Sequence, residues 1–291
     1  MTKNNKVLAW ILLSFLALIW GSSFILMKKS VEIFSIEQLA TIRIFSAFLF
    51  FIPVILLNIG KLPSAKQWFY CFLSGLLGNL LPAFCFAFAI TKINSSVSGV
   101  LNSLTPIFTL IVGALFFSNK ISRNQFFGML LAFSGSVILV LAKSSGFSLD
   151  FNAYSFLIVL ATIMYGFNLN IIKKYLNDVP PIMLTACVLS SVGIIAGIIL
   201  FSGNFIEIAQ RPEAKIPLIY TLILGIIGSG LATVIFNWVL QITSPVFSSS
   251  VTYLIPIVAI FWGIIDGEQL FLQHYVGIVF ILLGVFWVNK K

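Results

Sequence analysis

Charged residues are scarce in this sequence of 291 residues, since Asp, Glu, Lys and Arg together make up 9% of the chain. A typical soluble domain contains about 25% of them. Only 8 residues are acidic, too few to cover a water-soluble surface, whereas 60% of the residues are hydrophobic. So much apolar surface cannot be buried inside one soluble core of this length. The sequence therefore predicts a protein whose main solvent is lipid.

Cysteine and histidine are also rare, and neither occurs in a metal-binding pattern. The 3 cysteines, Cys71, Cys85 and Cys187, lie inside apolar runs, and the chain has no CxxC pair and a single histidine. This distribution argues against a disulfide scaffold and against a zinc site, so we expect no metal. We interpret the cysteines as small buried hydrophobic residues.

Motifs for nucleotide chemistry and hydrolysis are missing from the sequence. It contains no GxxxxGKS/T, no HExxH and no GxSxG, so we expect neither ATP nor another cofactor. The net charge of +9 comes from Lys and Arg at the ends of apolar runs rather than from a basic stripe with exposed aromatics. This placement is typical of membrane topology signals and argues against nucleic acid as a partner.

Long apolar runs, by contrast, are abundant. A bilayer core requires about 20 apolar residues per helix, and runs near this length, separated by short charged or turn-forming breaks, occur along the whole chain. They cover residues 7–27, 37–58, 68–90, 95–117, 123–142, 152–173, 181–202, 216–239, 244–264 and 272–289. The sequence predicts an all-α integral membrane protein with ten transmembrane helices. The first run is too long for a signal peptide and lacks a cleavage site, so we interpret it as a retained helix.

The distribution of Lys and Arg predicts the orientation. Ten spans place both termini on one side, where ten Lys and Arg residues then lie, against six on the other side. Because cytoplasmic loops carry the excess of basic residues, we expect both termini in the cytoplasm. The expected location is a bacterial inner (plasma) membrane.

The two halves of the sequence align with each other. The matching segments are Trp20-Gly21 to Lys28-Lys29 with Tyr165-Gly166 to Lys173-Lys174 (offset 145), Gly75 and Gly78 with Gly225 and Gly228, and Leu104-Thr105-Pro106 with Leu254-Ile255-Pro256 (both offset 150), and Gly128 and Gly135 with Gly277 and Gly284 (offset 149). We predict two repeats, residues 1–146 and 147–291, of five helices each. Because five is odd, the second repeat must be inverted, an arrangement typical of secondary transporters.

These residues resemble a known family. Trp20-Gly21-Ser22-Ser23-Phe24, then Arg43, then Thr105-Pro106 with Gly128 and Gly135 is similar to the drug/metabolite transporter superfamily, EamA type. The second half repeats the pattern, and the similarity covers essentially the whole chain. One departure is Ser118-Asn119, where the family usually has the Gly-Glu that this chain carries at Gly267-Glu268. The resemblance implies a ten-helix exporter or exchanger of amino acids or other small metabolites.

Polar and aromatic residues near the predicted midplane are the candidate substrate-binding residues, since polar groups are costly there. They are Trp20, Asn79, Asn102, Tyr165, Asn168, Trp238 and Tyr253. Aromatic faces and a few amides suit an organic substrate with an apolar body. The alternative is structural, because amides also bond helices together and aromatics also pack or face lipid.

The sequence leaves more than one role open for Pro106, Pro256 and Arg43. The matched prolines are predicted hinges of the fourth and ninth helices, and the alternative is a static kink. Arg43 lies within the second span, where it can extend to the membrane surface, meet a substrate carboxylate or bond helix carbonyls. We favour a structural role for it. Gly128, Gly135, Gly277 and Gly284 are predicted to pack helices closely.

Secondary transport of a small metabolite is the function that the sequence favours. The expected partners are a small-molecule substrate and the lipid bilayer, and the sequence does not determine the oligomeric state. No span carries a mid-membrane Asp or Glu, which predicts facilitated diffusion or exchange, or weak proton coupling through non-acidic groups. The alternatives are export of aromatic or cationic drugs through cation–π contacts, an intramembrane enzyme, and a non-transporting scaffold. We expect no enzymatic activity, because no catalytic cluster is evident.

Overall fold

The computed structural model describes residues 3–90, 92, 101–141, 154–265 and 272–288. Every regular element within these ranges is helical. The predicted boundary between the halves at residues 146 and 147, the Gly267-Glu268 motif and the start of the fourth predicted helix lie outside the described residues.

The described chain folds into the following helices, numbered in chain order. They are α1 (Lys3–Ser30), α2 (Ile36–Leu57), α3 (Ala65–Gly75), α4 (Leu81–Ile90), α5 (Thr105–Phe117), α6 (Arg123–Leu141), α7 (Ser155–Tyr175), α8 (Pro181–Phe201), α9 (Phe205–Ala209), α10 (Lys215–Ile223), α11 (Ala232–Ile242), α12 (Pro245–Ser249), α13 (Val251–Ile265) and α14 (Leu272–Val288). Two π-helical segments, π1 (Leu76–Leu80) and π2 (Leu224–Leu231), join α3 to α4 and α10 to α11.

Serine caps explain where two of the long helices begin. The Ser35 hydroxyl accepts a hydrogen bond from the backbone N–H of Gln38, whose side chain accepts from Ser35 N–H in return. Ser64 and Gln67 form the same reciprocal pair at the start of α3. Each pair satisfies two backbone donors that a helix start leaves free, so both helices begin directly after a short loop.

Several helices have the length and apolarity needed to cross a bilayer. Within the described ranges five segments qualify, Ile36–Leu57, Ala65–Phe86, Ser155–Tyr175, Pro181–Phe201 and Pro212–Ile242. Shorter apolar helices cover Val7–Ser23, Thr105–Phe117, Pro245–Val258 and Leu272–Val288. The protein is therefore a multi-pass integral membrane protein, and each of these segments overlaps one of the predicted apolar runs.

Two predicted spans are broken rather than continuous. The ninth run divides at Ser250 into α12 and α13, and the Ser250 hydroxyl donates to the Phe247 carbonyl at 2.6 Å. In the fourth run, a turn at Ser103 and Leu104 precedes α5. A serine hydroxyl that bonds a nearby carbonyl competes with the helical hydrogen-bond ladder. Hydrophobicity alone cannot reveal such breaks, because both halves of each run remain apolar.

The two prolines predicted as hinges occupy different positions. Pro106 lies in the first turn of α5, where its missing N–H disrupts no helical hydrogen bond. The carbonyl one turn before it, that of Asn102, accepts the Thr105 hydroxyl at 2.7 Å. Pro256 lies inside α13. Hinge motion at either residue stays a prediction.

Glycines bring α6 and α14 into backbone contact. A Cβ placed on Gly135 would lie 2.7 Å from the Gly277 oxygen and 2.7 Å from the Ile281 nitrogen. A Cβ on Gly128 would lie 2.8 Å from the Gly284 oxygen. Real Cβ atoms do not approach backbone this closely, so only glycine permits the contact. The predicted close packing at these glycines is confirmed.

Candidate functional site

The two π-helical segments occupy matched positions in the halves of the chain. Residues 76–80 of π1 fall within 224–231 of π2 when shifted by the 150-residue offset. A π-helical turn contains an extra residue and leaves backbone groups out of the regular ladder, which is why such turns often occur at functional sites. Sequence reasoning missed both segments. The available signal was the glycine spacing, Gly75 and Gly78 against Gly225 and Gly228.

The glycine before π1 and the glycine within π2 make equivalent contacts. A Cβ on Gly75 would lie 2.8 Å from the Ser191 hydroxyl, and one on Gly225 would clash with the Ser46 hydroxyl. Ser46 and Ser191 are 145 residues apart, the offset of the first aligned segments. The α3–α8 contact and the π2–α2 contact are therefore counterparts.

Gly78 of π1 and Gly228 of π2 both face the other half of the chain. Gly78 of π1 lies against the Asn168 side chain of α7. Gly228 of π2 lies near Ser23 of α1, whose hydroxyl would be 3.6 Å from a Cβ at that glycine. Ser23 and Asn168 are again 145 residues apart. Each π segment thus packs on the matched position of the opposite half.

Trp20 holds the backbone of π2 from α1. Its indole nitrogen donates a hydrogen bond of 2.9 Å to the Gly228 carbonyl, and its ring packs 5.4 Å from that of Phe236. A π-helical carbonyl without a regular partner is well suited to accept this bond. Trp20 is half-buried and joins α1 to π2 and α11.

Arg43 of α2 contacts the next residue of π2. Its Nη2 donates to the Ser229 hydroxyl at 3.2 Å, and its Nη1 contacts the Met27 sulfur at 3.4 Å. Although Arg43 is half-buried overall, its Nε atom is buried and has no hydrogen-bond partner. Among the residues that the structure describes, no Asp or Glu forms an ion pair with this guanidinium.

Tyr165 brings α7 to the same place. The Tyr165 side chain lies within electrostatic range of the Arg43 guanidinium and of Cys85, and its ring is 6.4 Å from that of Phe86. We call Trp20, Arg43, Tyr165, Gly228 and Ser229 the central cluster. It combines two aromatic faces, one permanent positive charge and an irregular backbone segment, drawn from both halves of the chain.

The predicted asparagines have different surroundings. The Asn168 Oδ1 accepts a 2.6 Å hydrogen bond from Ser74, so this amide joins α7 to α3. Asn79 lies within π1 and is half-buried. Asn102 is half-buried before α5. Their participation in substrate binding stays a prediction.

Tyr253 and Trp238 lie apart from the central cluster. Tyr253 is fully buried with Ala132 and Ile281, and its hydroxyl is 3.4 Å from the Met129 carbonyl. It therefore joins α13 to α6 and α14. Trp238 is 42% exposed, so much of its ring is not covered by the protein. The structure does not bring either residue to Trp20 and Tyr165.

A second polar region lies where α5, α7 and α11 end. Asn170 donates to the Thr109 and Gly166 carbonyls at 2.9 and 2.8 Å and accepts from Asn119 at 2.9 Å. Lys173 donates to the Leu240 and Gln241 carbonyls at 3.0 and 2.8 Å. A cavity of about 320 Å³ opens beside these groups, lined by Thr109, Leu110, Asn119, Lys120, Gln125, Lys173, Ser244, Pro245 and Val246. All four backbone acceptors belong to helices, so these side chains serve mainly to join helices.

Metal ligands are not grouped anywhere in the part of the chain that the structure describes. No three His, Cys, Asp or Glu side chains there lie close enough together to hold an ion. The central cluster can contact a ligand through aromatic faces and through charge-assisted hydrogen bonds.

Several known proteins similar to this chain are named as transporters. The model of the EamA-like transporter family matches twice, at residues 8–141 and 152–290. An uncharacterized transporter of Archaeoglobus fulgidus is 27% identical, over 97% of this chain and 99% of its own. The uncharacterized inner membrane transporter YedA of Escherichia coli K12 is 24% identical, over 94% and 88%. A WAT1-related protein of Arabidopsis thaliana is 23% identical, over 86% and 78%.

A solved crystal structure has the same fold as this chain. It superposes with a TM-score of 0.74, covers 96% of this chain and 95% of its own, and is 14% identical in sequence. At this identity the likeness establishes the fold alone.

Proposed function

Because the chain belongs to the EamA-like transporter family, we propose that it is a secondary transporter that exports or exchanges a small metabolite, such as an amino acid, by alternating access. The names of the relatives indicate transport rather than enzymatic activity and specify no substrate. Alternating access requires a binding site between two structural units that move against each other. The central cluster, which α1, α2, π2 and α7 form together, is the site that we propose.

We further propose that the protein consists of ten transmembrane helices in two inverted repeats, residues 1–146 and 147–291. The two separate matches to one family model support this division. So do the paired contacts of the π segments, Gly75 with Ser191 and Gly225 with Ser46. A pseudo-two-fold axis produces such pairs of related contacts at a nearly constant sequence offset. Broken helices near such an axis are typical of the binding sites of secondary transporters.

The observation that supports transport most directly is the composition of the central cluster. Trp20 and Tyr165 supply aromatic faces, and Arg43 supplies an unpaired charge among the described residues. Buried polar groups without partners are costly inside a membrane protein unless a ligand or function compensates for them. The same charge disfavours export of cationic drugs, because a cation at this position would be repelled by the guanidinium.

Transport by the purified protein tests the proposal. In proteoliposomes loaded with an unlabelled solute, we expect counterflow uptake of the same labelled solute for at least one amino acid or related metabolite, and none in protein-free liposomes. Amino acids, nucleobases and quaternary amines form the panel. Uptake of quaternary amines alone would favour the drug-export alternative. No uptake of any solute, from a protein that elutes as a monodisperse peak, would contradict a transport function.

The proposed orientation places both termini in the cytoplasm, because basic residues are in excess on that side. Gly60 and Gly203 provide a matched test, since both are exposed and have open space around their Cα atoms. In a background without native cysteines, we expect Gly203→Cys to react with a membrane-impermeant thiol reagent in intact cells. Gly60→Cys should react only after the cells are opened. The reverse pattern would show the opposite orientation.

A further inference from the structure

We propose that Arg43 binds the carboxylate of the transported solute through its unpaired Nε edge, which makes small organic carboxylates the substrate class of this protein. The inference rests on the proposed transport function and specifies its substrate. It concerns a residue whose role the sequence left open between structure and substrate contact.

The first argument is charge. A guanidinium stays protonated in proteins and carries a full positive charge. Arg43 lies within Ile36–Leu57, one of the helices able to cross a membrane, where an uncompensated charge is costly. Its two recorded partners, the Ser229 hydroxyl and the Met27 sulfur, are neutral. Within the described ranges its charge is therefore uncompensated, and a ligand carboxylate would compensate for it.

The second argument is geometry. The guanidinium is a planar fork with five N–H donors, and it binds a carboxylate best through two parallel hydrogen bonds. Ser229 accepts from Nη2, which fixes the plane of the fork, while Nε is buried without a partner. Nη2 carries a second hydrogen. Nε and Nη2 together therefore form one side of the fork, from which they can donate one hydrogen bond to each carboxylate oxygen.

The third argument is that the helix contact made at Arg43 does not require an arginine. A Cβ on Gly225 would lie 2.7 Å from the Arg43 carbonyl oxygen. At the matched position in the other half, a Cβ on Gly75 would lie 2.9 Å from the carbonyl oxygen of Val188. Val188 is buried and apolar. The same packing therefore forms with valine at the matched position. The guanidinium is not needed for this contact, and its role is specific to the first half of the chain.

The surroundings of Arg43 suit an organic solute rather than a bare inorganic anion. Trp20 and Tyr165 are both half-buried, so part of each ring remains available for contact. Aromatic faces bind an apolar body, and the fork binds its acidic end. A small carboxylic acid or a zwitterionic amino acid has both features.

The test compares carboxylates with their amides. Protein in lipid nanodiscs is titrated with L-phenylalanine, L-leucine, benzoate, pyruvate and succinate, and with the matching amides, and binding is measured by the shift of the thermal unfolding midpoint. We expect at least one carboxylate to bind the wild-type protein roughly ten- to hundred-fold more tightly than its amide, because the amide lacks the charge-assisted pair. If no carboxylate is preferred over its amide, the proposal is wrong.

Variants separate ligand binding from a structural role. Arg43→Gln should remove the preference for the carboxylate while leaving amide affinity unchanged, and Arg43→Lys should restore part of it by keeping the charge. Arg211→Gln is the matched control, because Arg211 is exposed and paired with Glu207 on the surface. Equal losses for acid and amide in Arg43→Gln would show that Arg43 acts only on the structure.

Two further measurements keep the test decisive. If Arg43→Gln does not fold, Ser229→Ala removes the neutral partner of Nη2 but keeps the charge, and it should weaken carboxylate binding selectively by a few-fold. Unchanged selectivity in that variant would contradict the geometry. Proteoliposome counterflow distinguishes the two levels of proposal, since transport of uncharged solutes alone overturns the carboxylate site but keeps the transport function. Carboxylate binding without any transport would keep the carboxylate site but overturn the transport function.

Discussion

Gly135→Val is expected to prevent this transporter from folding. A Cβ at residue 135 would meet the Gly277 oxygen and the Ile281 nitrogen at 2.7 Å, and backbone atoms in a helix cannot move aside as a flexible side chain can. Overpacking a close contact destabilises by about 1–3 kcal/mol and by more where backbone must shift. We expect α6 and α14 to separate and the yield of monodisperse protein to fall several-fold or more.

The measurement is size-exclusion chromatography of a fluorescent fusion, compared at equal total expression. Gly203→Val is the control, because no atom lies within 4 Å of a Cβ at that exposed loop residue. It makes the same chemical change and should elute as the wild-type protein does. If Gly135→Val gives an unchanged peak and unfolding temperature, α6 and α14 do not pack as closely as the structure shows.

Trp20→Ala is expected to reduce transport by roughly ten- to hundred-fold, the loss that corresponds to one buried hydrogen bond and its aromatic contact. The substitution removes the 2.9 Å bond to the Gly228 carbonyl, next to the Ser229 that positions Arg43. Trp20→Phe keeps an aromatic face without the bond and should lie between wild type and Trp20→Ala. Counterflow rates per mole of reconstituted protein provide the measurement.

Trp238→Ala is the matched control for that experiment. It removes the same side chain from a position on α11 that is 42% exposed and makes no ring contact or hydrogen bond with Trp20. We expect normal transport from this variant. The opposite result would be loss of transport in Trp238→Ala while Trp20→Ala is folded and transports normally. It would place the substrate path on the face of α11 that carries Trp238.

Several features of the fold follow from residue types alone. In lipid, a backbone segment has to satisfy its own hydrogen bonds, so an apolar run near 20 residues long becomes a helix. The runs at 37–58 and 181–202 accordingly match α2 and α8 within a residue. The glycines at 128, 135 and 284 pack helices closely, as their spacing predicts.

Other features were invisible in the sequence because they depend on hydrogen bonds that leave hydropathy unchanged. The break at Ser250 and the π-helical turns at 76–80 and 224–231 replace one helical pattern by another within continuous apolar runs. The sequence also predicts Tyr253 and Trp238 to be aromatic residues near the midplane. Tyr253 is fully buried beside Met129, whereas Trp238 is partly exposed. Depth in the membrane follows from position along a helix, whereas the direction of a side chain follows from the packing of that helix.

The sequence by itself determined that this protein crosses a membrane and that a basic residue lies within the second helix. Those conclusions depend on transfer free energies and chain length, which are properties of residues and not of their neighbours. Only the tertiary structure decided what surrounds Arg43. Its partners come from residues 27 and 229 and its neighbouring phenol from residue 165. Whether a buried charge can bind a ligand depends on the groups around it, and helix packing brings those groups together from distant parts of the chain.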